Sequence, residues 1–153
     1  VFRTLHGFDA DFFAHQEEID LCWRANNLGF VVKYCPASIV YHVGGATLNE
    51  ANPMKTFLNF RNSLAMLTKN LPKEKLIQII FIRLCLDGLA GIQFLFQGKA
   101  KHTFAILKAH FYFHHLVRRN LKKRSNNQKK DYYFTKSIVW NYFVQKKKTF
   151  KRL

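Results

Sequence analysis

From Leu76 to Phe96 the chain reads Leu-Ile-Gln-Ile-Ile-Phe-Ile-Arg-Leu-Cys-Leu-Asp-Gly-Leu-Ala-Gly-Ile-Gln-Phe-Leu-Phe. No other stretch limits the fold so strongly, because so much apolar surface must be covered by protein or by lipid. The segment is about long enough to cross a bilayer core. Yet Arg83 and Asp87 stand in its middle at i,i+4 spacing, with Gly88, Gly91, Gln78 and Gln93 around them. A charge at the bilayer centre costs roughly 2.5–3.5 kcal/mol on insertion scales. The expectation over residues 74–97 is therefore a helix lying in the membrane interface, or packed on the domain, in preference to one that spans.

The flanking sequence has helical periodicity. Phe57, Phe60, Leu64 and Leu67 recur at spacings of three and four, which predicts a helix over 53–69 that Pro72 stops. Residues 101–121 form a second amphipathic pattern, with Phe104, Leu107, Phe111, His114 and His115 among Lys101, Lys108, Arg118 and Arg119. That mixture suits an anionic membrane surface. His110 and His114 have zinc-pair spacing, but no third ligand accompanies them. Residues 122–131 read as a polar basic linker, and the tail from Tyr132 interleaves Tyr, Phe and Trp140 with lysines. The net charge of +16 implies an anionic partner, and sixteen Phe favour apolar contacts. Cys22, Cys35 and Cys85 show no CxxC spacing, so neither a disulfide framework nor a zinc knuckle is indicated.

The first third reads differently. Residues 17–28 predict a short helix ending at Gly29. Phe30-Val31-Val32-Lys33-Tyr34 and Ile39-Val40-Tyr41-His42-Val43 predict two strands, the second stopped by Gly44-Gly45. A helix followed by two strands points to the end of an α/β domain. The organisation expected is residues 1–70 as that domain, 71–121 as amphipathic membrane-associated helices, and 122–153 as a basic aromatic tail.

Acids are scarce and clustered. Of nine Asp and Glu residues, five fall between Asp9 and Asp20, namely Asp9, Asp11, Glu17, Glu18 and Asp20. Carboxylates crowded together repel unless a metal, a cation or a proton offsets them, so the cluster is a candidate site. The same residues also suit the first turn of an ordinary helix, where acids complement the dipole and Asp20 pairs with Arg24.

Gly7-Phe8-Asp9, Phe12-Phe13, Glu17-Glu18-Ile19-Asp20-Leu21-Cys22-Trp23-Arg24, Gly29-Phe30, Pro36, Val40-Tyr41-His42 and Gly44-Gly45, in this order, resemble the C-terminal half of a family 2 glycosyltransferase of the rhamnosyltransferase-like group. The resemblance covers about residues 5–70. It implies the C-terminal part of a GT-A domain, the nucleotide-diphospho-sugar transferase α/β fold, followed by amphipathic, membrane-proximal helices. It further implies an inverting transfer of a sugar from a nucleotide-sugar donor to a polysaccharide or lipid-linked acceptor. The work would be done at the cytoplasmic face of a bacterial inner membrane.

By the same resemblance Glu18 is the general base that takes the acceptor's proton, and Glu17, Asp20 and Arg24 orient it. Asp9 and Asp11 are expected near the acceptor. Arg61, in the family-like Asn59-Phe60-Arg61-Asn62, is expected near the diphosphate or acceptor. His42 matches a histidine that helps hold a divalent cation, Mg²⁺ or Mn²⁺, on the diphosphate. The sequence departs from the family pattern at His6 and Ala10, where Gly and Glu are usual, and at Glu18, where Asp is common. The rest of the nucleotide site, with an Asp-x-Asp metal motif, is expected upstream of Val1, so this chain alone is expected to be inactive. The rival reading is a basic, aromatic binding module for membrane surfaces or nucleic acid, without catalysis. Nothing in the sequence resembles a named nucleic-acid fold, and a nucleic-acid partner is not expected.

Overall fold

The computed structural model describes residues 1–41, 51–133, 137–138 and 140–149. In chain order these hold a 3-10 turn (Ala10–Phe12), α1 (Glu17–Asn27), α2 (Pro53–Asn70), α3 (Lys73–Phe96), α4 (Ala100–Lys122) and a π-helical turn (Trp140–Val144).

Each boundary has a local cause. The Asn52 side chain accepts from Met54 N–H at 2.9 Å, and Pro53 occupies the first helical position of α2. Leu71 precedes Pro72 and takes an extended conformation, which ends α2. α3 closes in a Schellman motif, where Gly98 has φ +70° and Lys99 N–H donates to Phe94 O at 2.8 Å. That tight stop lets α4 begin almost at once and fold back along α3. Three contacts set an antiparallel register: Phe94 stacks on His102, Thr103 Oγ1 donates to Gly91 O, and His110 reaches Asp87.

α2 is the central helix and makes its most extensive contact with α4. Phe57 and Leu58 of α2 pack on Ala105 and Ala109 of α4, whose small side chains allow close approach. On another side of α2, Phe12, Ala65 and Met66 form a second cluster against Trp23 of α1. α3 contributes little to either cluster, and only 11% of its most apolar stretch is buried.

The helices expected at 17–28, 53–69, 74–97 and 101–121 are present with shifts of a residue or two. The α/β expectation is overturned. The protein is all-helical, with 62% helix and 0% strand among the described residues, so it is not a GT-A fold. Residues 30–41 contain neither expected strand; His42 and Val43 lie outside the described residues. The strand reading rested on β-branched and aromatic composition. A strand is made by its partner's ladder, and no described segment supplies one. Val31, Tyr34, Val40 and Tyr41 are all exposed, with no opposing face to pack on. Phe30 N–H instead donates to Ala25 O at 3.0 Å and caps α1.

Candidate active site

The acid cluster divides into two groups. Asp9, Asp11 and Asp20 are bound to cations, whereas Glu17 and Glu18 have no ion pair among the described residues. Asp20 is fully buried. Arg24 Nε lies 2.7 Å and Lys69 Nζ 2.9 Å from its Oδ2, and Asn70 Nδ2 donates to its Oδ1 at 2.9 Å. Arg24 donates onward to Leu5 O at 2.6 Å and Gly7 O at 2.8 Å, tying the first turn of the chain to α1. Lys69 Nζ also lies 2.7 Å from Asp9 Oδ2 and 4.9 Å from the Phe12 ring centre. One buried ammonium from the end of α2 therefore joins two acids from opposite ends of the motif.

Asp9 and Asp11 are held from the other side by α4 and the residue that follows it. Lys123 Nζ lies 2.7 Å from Asp9 Oδ1 and 2.6 Å from Asp11 Oδ2, and Arg119 Nη2 lies 2.6 Å from Asp11 Oδ1. Burial pushes the Asp9 carboxyl up. Hydrogen bonds from Lys123, Lys69 and Asp11 N–H outweigh it and hold Asp9 well below the usual carboxylate range. The Lys123 ammonium is correspondingly raised, burial opposing and its bonds to Asp11 and Asp9 favouring the charged form.

The sign of the pH dependence follows. A carboxyl depressed in the folded state contributes stability that is complete above its unfolded pKa and is lost as pH falls through the folded value. Melting temperature should therefore decline below about pH 4, the unperturbed Asp range. Asp9→Asn should flatten part of that decline. A wild-type and an Asp9→Asn acid profile of identical slope would contradict the assignment.

Between Asp11 and Glu17 runs a distorted loop. Phe13, His15 and Gln16 have φ of +63°, +69° and +73°, and none is glycine. Such residues cost on the order of 1–3 kcal/mol each and persist only where the surroundings over-determine them. Here Asn62 of α2 does so. Its Nδ2 donates to Phe12 O, Ala14 O and His15 O at 2.8–2.9 Å. Arg61 Nη2 adds bonds to Asp11 O at 2.9 Å and Phe12 O at 3.1 Å, and Arg61 Nε donates to Asn62 Oδ1. Arg61 thus grips the motif's backbone. Asn62→Ala should lower stability by roughly 1–3 kcal/mol, the cost of buried carbonyls left without a donor. Chymotrypsin should then cut faster after Phe13, which already stands exposed. Unchanged melting and cleavage would remove Asn62 from this role.

The loop delivers the chain to α1, where Gln16 caps nothing with its side chain and Glu17 and Glu18 occupy the first turn. Glu18 is exposed, and Glu17 is partly buried with its Oε2 covered and unpartnered. His15 Nε2, from the distorted loop, is likewise covered without a partner.

His42 and Gly44-Gly45 lie outside the described residues. Among the described residues no group of three His, Cys, Asp or Glu could hold a metal. Asp9, Asp11 and Asp20 already face ammonium or guanidinium groups, so they do not fit a divalent cation.

Comparison with family models, with curated proteins and with solved structures finds no match to the chain. Sequence reasoning missed Lys69, Asn70 and Lys123. Its one available signal was charge balance: crowded acids require cations nearby.

Proposed function

We propose that this chain carries the acceptor-activating carboxylate of an inverting glycosyl transfer, with Glu18 as the general base. The observation that carries the reading is the division of the acid cluster. In a chain of net charge +16, Glu18 stands exposed and without an ion pair among the described residues. Its neighbour Asp20 is committed to Arg24, Lys69 and Asn70. A base must be reachable and free to accept a proton, and Glu18 meets both conditions. The ordered resemblance of Gly7 through Arg24 to family 2 glycosyltransferases supplies the reaction class.

In this reading the Glu18 carboxylate removes the proton from an acceptor hydroxyl as that oxygen attacks the anomeric carbon of a nucleotide-sugar. The bond from that carbon to the diphosphate oxygen breaks, and the nucleoside diphosphate leaves with the electron pair. Attack opposite the leaving group inverts the anomeric centre. Asp20, Arg24, Asn62 and Arg61 are positioning residues. They fix α1 and the loop before it, and an ångström of misplacement is costly in such a step. The acceptor class is a polysaccharide or a lipid-linked sugar. The test is nucleoside diphosphate release by the complete natural polypeptide from a panel of nucleotide-sugars, in wild type and Glu18→Gln. Equal release from both removes Glu18 from the chemistry.

A further inference from the structure

We infer that α3 docks on an anionic lipid bilayer, lying flat in the interface with its exposed face turned toward the acyl chains. From Ile77 to Phe96 every exposed residue is uncharged. Ile77, Phe81, Leu86, Leu89, Ile92 and Phe96 are between 51% and 89% exposed. The strip is about 28 Å long at 1.5 Å per residue. So long an apolar face is rarely left to water.

The two charges that argue against membrane contact point the other way. Asp87 is 1% exposed. It lies 2.6 Å from Arg83 Nε and 3.1 Å from His110 Nε2 of α4, and the Arg83 guanidinium covers the Phe60 ring of α2. The polar cluster thus lies on the side of α3 that α2 and α4 cover.

That cover also decides orientation. To span, α3 would have to draw α4 into hydrocarbon, with exposed Lys101, Lys108 and Arg118, at a prohibitive cost. Lying flat buries only the uncharged strip. A groove of about 580 Å³ between α3 and α4 shares Ile77 and Phe81 with the strip and continues inward past Ile80, Leu84, Phe113 and Val117. It gives an acyl chain a place to enter.

Charge complementarity selects the lipid. Lys73 precedes the strip and Lys99 and Lys101 follow it. The antiparallel register sets Arg118 and Lys122 of α4 beside the start of α3. These five cations have no ion pair among the described residues and suit anionic headgroups at the strip's two ends.

Cys85 lies on the strip and is exposed, as are Cys22 and Cys35. With the latter two changed to Ser, a spin label can be placed at Cys85, or at Ile77 or Phe96 through single cysteines. Depth is then read by oxygen against a water-soluble relaxer, on vesicles of phosphatidylcholine with or without phosphatidylglycerol. Flat docking predicts similar, shallow depths at all three sites and roughly tenfold or tighter binding to the anionic vesicles. A deep label at Cys85 between shallow ends would show spanning and overturn the orientation. Labels that stay water-exposed with both vesicles would overturn docking. A lipid-free dimer with the labels immobilised would assign the strip to a second copy instead. None of these outcomes depends on Glu18 or on sugar transfer.

Discussion

Lys69→Met should cost about 3–5 kcal/mol, a large fraction of the stability of a small domain. Lys69 is 3% exposed and bonds Asp9 and Asp20 at once. Its loss leaves the fully buried Asp20 with only Arg24 and Asn70, and the Asp9 carboxylate with Lys123 and the Asp11 N–H. A buried charge stripped of one partner loses far more than a surface pair, because water cannot replace what was removed. The contrast is available within the molecule. Lys130 and Glu74 are 3.5 Å apart and both mostly exposed, so Lys130→Met should leave the urea midpoint nearly unchanged. Asp20→Asn should cost less when added to Lys69→Met than it costs alone, since the Lys69–Asp20 bond is already gone. Urea denaturation of these proteins measures all of this. Equal midpoints for Lys69→Met and Lys130→Met would show that the network does not hold α1 to α2.

Glu18→Gln should behave in the opposite way, leaving melting unchanged and lowering sugar transfer by roughly 10²–10⁴-fold. The substitution keeps size and hydrogen-bonding reach and removes only the capacity to accept a proton. Glu18 is exposed and outside the ion network, so nothing in the fold depends on its charge. Asp20→Asn should instead lower the midpoint. The amide cannot receive Arg24 and Lys69 as the carboxylate does. Any loss of transfer would follow from the displaced α1.

These two residues lie two positions apart, and the sequence distinguished them only through family resemblance. Spacing made the Asp20–Arg24 and Arg83–Asp87 pairs legible as i,i+4 neighbours. It could not say that both aspartates turn inward, because burial depends on which helix arrives opposite. Helix ends were legible where proline or glycine acts locally, at Pro53, Pro72 and Gly29, whereas the Gly98 stop of α3 went unread. The strands were misread because β-branched residues express a preference for a surface that this chain's described residues do not provide. Lys69 was invisible for a related reason. A lysine in the last turn of a helix ordinarily reaches for water, and only two acids drawn from distant positions, Asp9 and Asp20, turn it inward. Arg61 was noticed as chemically able, but its use as a backbone clamp depends on the loop geometry that Asn62 creates.

In the proposed function the acid cluster separates into a structural part, Asp9, Asp11 and Asp20, and a reactive part, Glu18. The most direct measurement is nucleoside diphosphate release by the complete polypeptide, with melting temperature recorded on the same preparations of wild type, Glu18→Gln and Asp20→Asn. Glu18→Gln should melt as wild type with release reduced at least about a hundredfold. Asp20→Asn should melt distinctly lower. Full release from a Glu18→Gln protein of native stability would exclude Glu18 as the base.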